Sequence, residues 1–207
     1  MTGPRLSLGD PSGSTEGLRL NLGCGRDVRD GWVNIDSVPL PGVDHVVNFD
    51  GKPVLPLPDD SVARSEGSHV IEHLANPLPF MEELWRVTEP GGTAEFRCPY
   101  GATDDADEDP THVRRMFPGS WGYFSQPFYW RADYGFRGDW QPVRVTLTVF
   151  PEFAGFSDAE LRAMIRFQRN VVGEMAAVLR CVKPAREPRR ELQEPWDLVL
   201  LRAKGKG

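Results

Sequence analysis

Short runs of alternating apolar and polar residues recur along the chain, separated by clusters of glycine, proline and aspartate. "LRLNL" (18–22), "GWVNID" (31–36), "VDHVVNFD" (43–50), "TAEFRCPY" (93–100), "VRVTLTVF" (143–150) and "PWDLVLLRA" (195–203) each read as a strand. "SVARSEGSHV" (61–70) carries the same pattern more weakly. Two stretches follow the helical period instead. In residues 73–92, Leu78, Met81, Leu84, Trp85 and Val87 form one apolar face, Glu82, Glu83 and Arg86 face out, and Pro90-Gly91-Gly92 ends the helix. Residues 157–182 read as one long helix opened by Ser157 and Glu160 in a capping box, with Asn170 and Glu174 as an i, i+4 pair turned to a pocket, a partner subunit or solvent. Strands that close on glycine or aspartate, alternating with helices, predict an α/β fold with ligands at the carboxyl edge of a parallel sheet.

Residues 1–17, rich in Gly, Pro and Ser, read as an arm ahead of one domain over 18–207. Residues 101–142 show no clean period and are expected to form an insert or lid on the acceptor side. A formal charge of −6 argues against a nucleic-acid partner, which needs a basic face. No run approaches the ~20 apolar residues of a membrane span, and Cys24, Cys98 and Cys181 are too scattered for a metal or disulfide framework. A cytoplasmic protein is the expectation, with a homodimer kept open.

Asn21, Gly23, Gly25 and Asp27 in "LNLGCGRD" pose a choice between a cofactor loop and a tight turn. Together with "LPLPDDSVARSEGSHVIEHL" and "FMEELWRVTEPGGTAEFRCP", in that order, the stretch resembles the motifs of class I methyltransferases that use S-adenosylmethionine. Asn21 departs from the acid usual there. The resemblance implies a Rossmann-like α/β sandwich, mostly parallel with a terminal antiparallel strand, and transfer of a methyl group to a small-molecule, sugar or peptide acceptor, more readily at oxygen. It places the amino-acid end of the cofactor on Asn21, Gly23, Cys24 and Gly25, and adenine on Asp50 and Gly51. It sets Ser68 and His69 beside the methyl group. Asp36 offers two acceptor oxygens to the ribose hydroxyls. Asp36 follows Gly25 by only eleven positions, which cuts the first helix to a turn or two and disfavours a nicotinamide or nucleotide-sugar enzyme. A non-catalytic cofactor-binding protein of the same fold is the other alternative.

For proton transfer the candidates are His112, with Asp109 three residues earlier to orient it, and His69. His45 lies in a strand and reads as structural. His73 and Glu72 read as packing or capping residues, and H-x-x-E-H lacks an identifiable third ligand, so no metal is expected. The acidic run 104–109 leaves a bound cation open. Ten of twenty-one aromatic residues fall between Phe117 and Trp140, so Trp121, Tyr123 and Phe124, with Tyr100, are candidates for an acceptor pocket.

Overall fold

A computed structural model describes residues 17–203; the proposed arm, apart from Gly17, lies outside them. Eight strands form one sheet: β1 (Leu18–Leu22), β2 (Val33–Asp36), β3 (His45–Val46), β4 (Val62–Ser68), β5 (Thr88–Pro99), β6 (Trp140–Val149), β7 (Val172–Cys181) and β8 (Asp197–Arg202). Their order is β3-β2-β1-β4-β5-β7-β6-β8. All neighbours run parallel except β7, which is antiparallel to both β5 and β6. The fold is therefore the expected Rossmann-like α/β architecture, with its reversed strand inside the sheet. The chain's last strand, β8, adds to the edge parallel to β6.

β7 corrects the single long helix read over 157–182. The helix there, α3 (Asp158–Phe167), keeps the capping box: Ser157 Oγ accepts from Glu160 N, and Glu160 Oε2 accepts from Ser157 N at 2.8 Å. It ends before Asn170, which turns at φ +58°. Beyond that turn, Val172, Met175, Ala177, Leu179 and Cys181 are buried, the last four on alternate positions of a central strand. Helix-favouring Glu, Met and Ala residues masked this period, and pairing on both edges overrides their propensity. Asn170 and Glu174 are consequently no helical pair.

The other α-helices among the described residues are α1 (Pro77–Val87), which ends at Val87 so that Pro90-Gly91-Gly92 lie within β5 and do not stop it, and the single turn α2 (Asp105–Glu108). Asn76 caps α1 by accepting from Leu78 N, and Phe80, Met81, Leu84 and Val87 are buried on its inner face. Each such side chain contributes roughly 1.5–3 kcal/mol of apolar burial. Glu83, expected to face out, accepts from Leu55 N at 2.7 Å and from Arg86, which also holds Leu55 and Leu57 carbonyls.

Register makes the sheet two-faced. Across one row lie Leu22, Gly67, Phe96, Ala177, Val145 and Leu198; across the next lie Asn21, Glu66, Glu95, Val178, Arg144 and Asp197. In-register residues share a face. The apolar face packs against α1 and residues 117–140, where Trp121, Phe124, Phe136 and Trp140 join the core. The aromatic segment is thus largely core, and Trp140–Pro142 belong to β6. Residues 23–32, between β1 and β2, form turns with no helix, and Arg29 reaches over the polar face to Glu66 at 2.6 Å.

Candidate functional site

The carboxyl ends of β1, β2 and β4 border a cleft of about 250 Å³ lined by Gly23, Asp36, Asp50, His69, His73 and Leu74, among others. Gly23 turns at φ +62°, and a Cβ there would lie 2.3 Å from Val70 Cγ2, so only glycine fits. Gly25, at φ +51°, has open space where a Cβ would project. Its N–H donates to Asp36 Oδ2 at 2.7 Å, while Asp36 Oδ1 accepts from Val38 N at 2.9 Å. One carboxylate thereby holds both the glycine loop and the turn after β2, and each oxygen keeps a lone pair for a ligand. Asp50 Oδ1 accepts from Ala75 N at 2.8 Å, which fixes it on the far wall, and Gly51 beside it is exposed at φ +83°.

Three other expected cofactor residues point elsewhere. Asn21 is buried, and its amide donates to Asp27 O at 2.6 Å and to Asn34 Oδ1 at 3.0 Å, fastening the loop from beneath. Cys24 is buried as well, its thiol pushed up first by burial and then by the Asp36 charge. Ser68 borders a different, shallow cleft on the polar face with Arg29, Glu66 and Arg97.

A second cavity, about 610 Å³, lies against the first beneath the ends of β5, β6 and β7; its walls include His69, His73, Asp109, His112, Phe150 and Glu174. His69 and His73 line both spaces. His69 sits at the end of β4 in the left-handed region, φ +55°, a conformation that a non-glycine residue adopts at some cost. Its Nδ1 is 3.1 Å from Glu72 Oε1 and its Nε2 is 3.8 Å from Glu174 Oε2. Glu174 first, and then Glu72, push its pKa up to about 10. Without other ligands His69 is an imidazolium at neutral pH, able to donate but not to act as a base.

His112 and Asp109 are brought together, with Nε2 and Oδ2 3.8 Å apart. Asp109 also accepts from Thr111 N at 2.8 Å and Thr111 Oγ1 at 2.6 Å, and these bonds hold it below the usual carboxylate range. The His112 side chain is 7% exposed, and its ring lies 4.8 Å from that of His73, centroid to centroid. Elsewhere in the acidic run, Asp104 and Asp107 each lie 2.9 Å from Arg169 and Asp107 lies 2.7 Å from Arg115, while Asp105 borders the cavity.

Of the four aromatic candidates, Trp121 has no exposed surface and stacks on Phe96 at 5.9 Å. Tyr100 and Phe124 are buried. Tyr123 is exposed and shares a separate hollow with Phe124, Arg114 and Tyr134. None of the four lines the histidine-walled cavity. Sequence reasoning missed Phe150 there, named Glu174 only as a helical partner of Asn170 turned to a pocket, a partner subunit or solvent, and took Glu72 for a packing or capping residue; the period-two burial of β7 is the signal that places Glu174 on the sheet.

No protein-family model matches the sequence, and no curated protein does. Solved structures do resemble it. An S-adenosylmethionine-dependent methyltransferase from Archaeoglobus fulgidus superposes with a TM-score of 0.56 at 15% identity, over 80% of this chain and 86% of that one. The YcgJ protein from Bacillus subtilis superposes with a TM-score of 0.52 at 14% identity, over 82% and 93% respectively. At such identities the likeness speaks for architecture, and it agrees with the strand order found above. The chain has the fold of the class I S-adenosylmethionine-dependent methyltransferases.

Proposed function

We propose that the protein methylates an oxygen of a small-molecule, sugar or peptide acceptor, with S-adenosylmethionine as donor. The observation that carries this reading is the pair of adjoining spaces with a common wall of His69 and His73. Methyl transfer is an in-line displacement between two bound molecules, so it needs two sites meeting at one point.

The smaller cleft suits the cofactor. Gly23 makes a turn only glycine fits, Gly25 leaves open space where a side chain would project, Asp36 presents acceptors for a ribose diol, and Asp50 with Gly51 closes the adenine end. Asn21, Cys24 and Ser68 act at most through the loop they support. Bound there, S-adenosylmethionine supplies a methyl group on a sulfonium. The larger cavity receives the acceptor; His112, oriented by Asp109, takes up the hydroxyl proton, and the His69 imidazolium donates to the acceptor. Trp121, Tyr100 and Phe124 are core residues in this reading, and Tyr123 is left outside the cavity.

Calorimetric titration with S-adenosylhomocysteine tests the cofactor half, and labelled methyl transfer from S-adenosylmethionine to a panel of hydroxyl acceptors tests the other. Saturable binding with one ligand per chain, and label in an ether product, is the expected result. No binding at millimolar ligand overturns the reading; binding without transfer to any acceptor leaves a cofactor-binding protein.

A further inference from the structure

We infer that Glu72, His73 and His112 bind a first-row divalent cation, with its open coordination positions facing the larger cavity. The sequence holds the three residues forty positions apart at the extremes, and the fold converges them: one ligand atom from each lies within 4.8 Å of the other two. Two ligands on one tetrahedral ion lie about 3.3 Å apart, so side-chain adjustments of up to about 1.5 Å complete the site.

Unsatisfied polar atoms point to a ligand independently of that spacing. Five buried side-chain atoms among the described residues lack a hydrogen-bond partner, and three of them are Glu72 Oε1, Glu72 Oε2 and His112 Nδ1. The Glu72 side chain is only 3% exposed. His69 Nδ1 lies 3.1 Å from Oε1 and supplies a neighbouring charge there, whereas Oε2 and His112 Nδ1 have no hydrogen-bond partner. A buried carboxylate oxygen and a buried imidazole nitrogen left so are costly unless a ligand meets them.

Both imidazoles are also held in the orientation ligation needs. His73 Nδ1 lies 3.2 Å from Thr111 O and 3.0 Å from Thr111 Oγ1; with its proton on Nδ1, facing that carbonyl, the Nε2 lone pair is the one offered to an ion. Asp109 stands 3.8 Å from His112 Nε2 on the side away from the unpartnered Nδ1. Carbonyl and carboxylate groups behind ligating histidines are the usual outer supports of a metal site. One carboxylate and two neutral imidazoles suit Zn²⁺, Co²⁺ or Fe²⁺; Mg²⁺ and Ca²⁺ prefer all-oxygen sets. In such a site a bound hydroxyl ionises near neutral pH, its proton leaving to solvent through the open cavity, so that with the ion bound His112 serves as a ligand in place of the base. That consequence for the acceptor rests on the methyl-transfer reading; the binding of the ion does not.

The test uses the full chain stripped with a chelator and titrated with Co²⁺, followed by its visible absorption and by metal content. One Co²⁺ per chain, displaced by Zn²⁺, is expected. Glu72→Gln and His112→Ala should each weaken it at least ~100-fold, beyond the loss typical of outer-support mutations. His45→Ala, on β3 and outside the cluster, should leave it unchanged. S-adenosylhomocysteine affinity and circular dichroism of each variant report whether the fold survives, and a failure of cofactor binding alone leaves the metal result intact. Absence of a stoichiometric Co²⁺ spectrum, or equal affinity in folded Glu72→Gln and His112→Ala, overturns the inference.

Discussion

Asp36→Ala is the sharpest probe of the cofactor cleft. The carboxylate accepts from Gly25 N at 2.7 Å and Val38 N at 2.9 Å, and the proposed ribose hydroxyls bond to its remaining lone pairs. Hydrogen bonds to a charged group contribute ~1.5–3 kcal/mol each, and water offsets part of their loss in an open cleft. Removing the side chain should therefore cost about 2–4 kcal/mol of binding, an increase in Kd of ~30- to ~1,000-fold. Asp36→Asn should recover little. Its single oxygen serves one of the two backbone donors, and its Nδ2–H group then opposes the other. Both freed N–H groups lie beside the cleft and regain water, so the melting temperature should fall by only a few degrees, about 1–2 kcal/mol. Titration calorimetry with S-adenosylhomocysteine, paired with thermal melts, reads both quantities. Variants that bind within about threefold of the wild type while remaining folded would place the ribose elsewhere and refute the assignment.

Two substitutions test the scaffold. Arg186 donates to Asp139 at 2.8 Å and 2.9 Å, and the Asp139 side chain is fully buried, so Arg186→Ala should cost ~3–5 kcal/mol in urea unfolding by stranding that charge; a loss below ~1 kcal/mol would contradict it. Asn21→Asp restores the acid of the resembled family, yet Asn21 donates to two acceptors, Asp27 O and Asn34 Oδ1, and a carboxylate has no proton to give them. The variant should lose ~1–3 kcal/mol in thermal melts without tighter cofactor binding, and a gain in affinity would show that the position faces the cofactor.

Strand periods and loop glycines were legible because they are local. Gly23, Gly25 and Asp36 lie within fourteen consecutive residues, 23 to 36, and α1 announced its buried face by spacing alone. β7 was not legible, because its Ala, Met and Glu content favours a helix and only its pairing between β5 and β6 makes it a strand. The acceptor-side cavity was legible in part for the same reason. His112 and Asp109 are three residues apart and were paired from sequence, whereas Glu174 reaches His69 across the sheet, and Glu72 meets His112 only after the chain has passed through all of β5. The aromatic run misled in the opposite sense. Its density reflects a sheet face with one helix, α1, and a long irregular segment to cover it, so Trp121 and Trp140 fill the space that further helices would otherwise occupy.

The short connection from β1 to β2 governs the character of the site. Residues 23–32 bring the chain back from the end of β1 to the level of Leu20, where Val33 starts β2 in parallel, only about 7 Å along the strand. They do so through turns and extended residues, with no helix. An extended path carries no apolar helical face, and the strand residues beneath it are accordingly Asn21, Glu66 and Glu95, bridged by Arg29 rather than packed. Asn21 follows from this arrangement. A loop without helical hydrogen bonds leaves carbonyls such as that of Asp27 in need of donors, and an amide supplies them where the usual carboxylate does not. The same loop leans on Asp36 through Gly25, so the cleft's geometry depends on the carboxylate proposed to hold the ribose. Loop order and ligand binding are thus coupled at one side chain, and a ligand that draws on Asp36 also tightens the turn that shapes its own site.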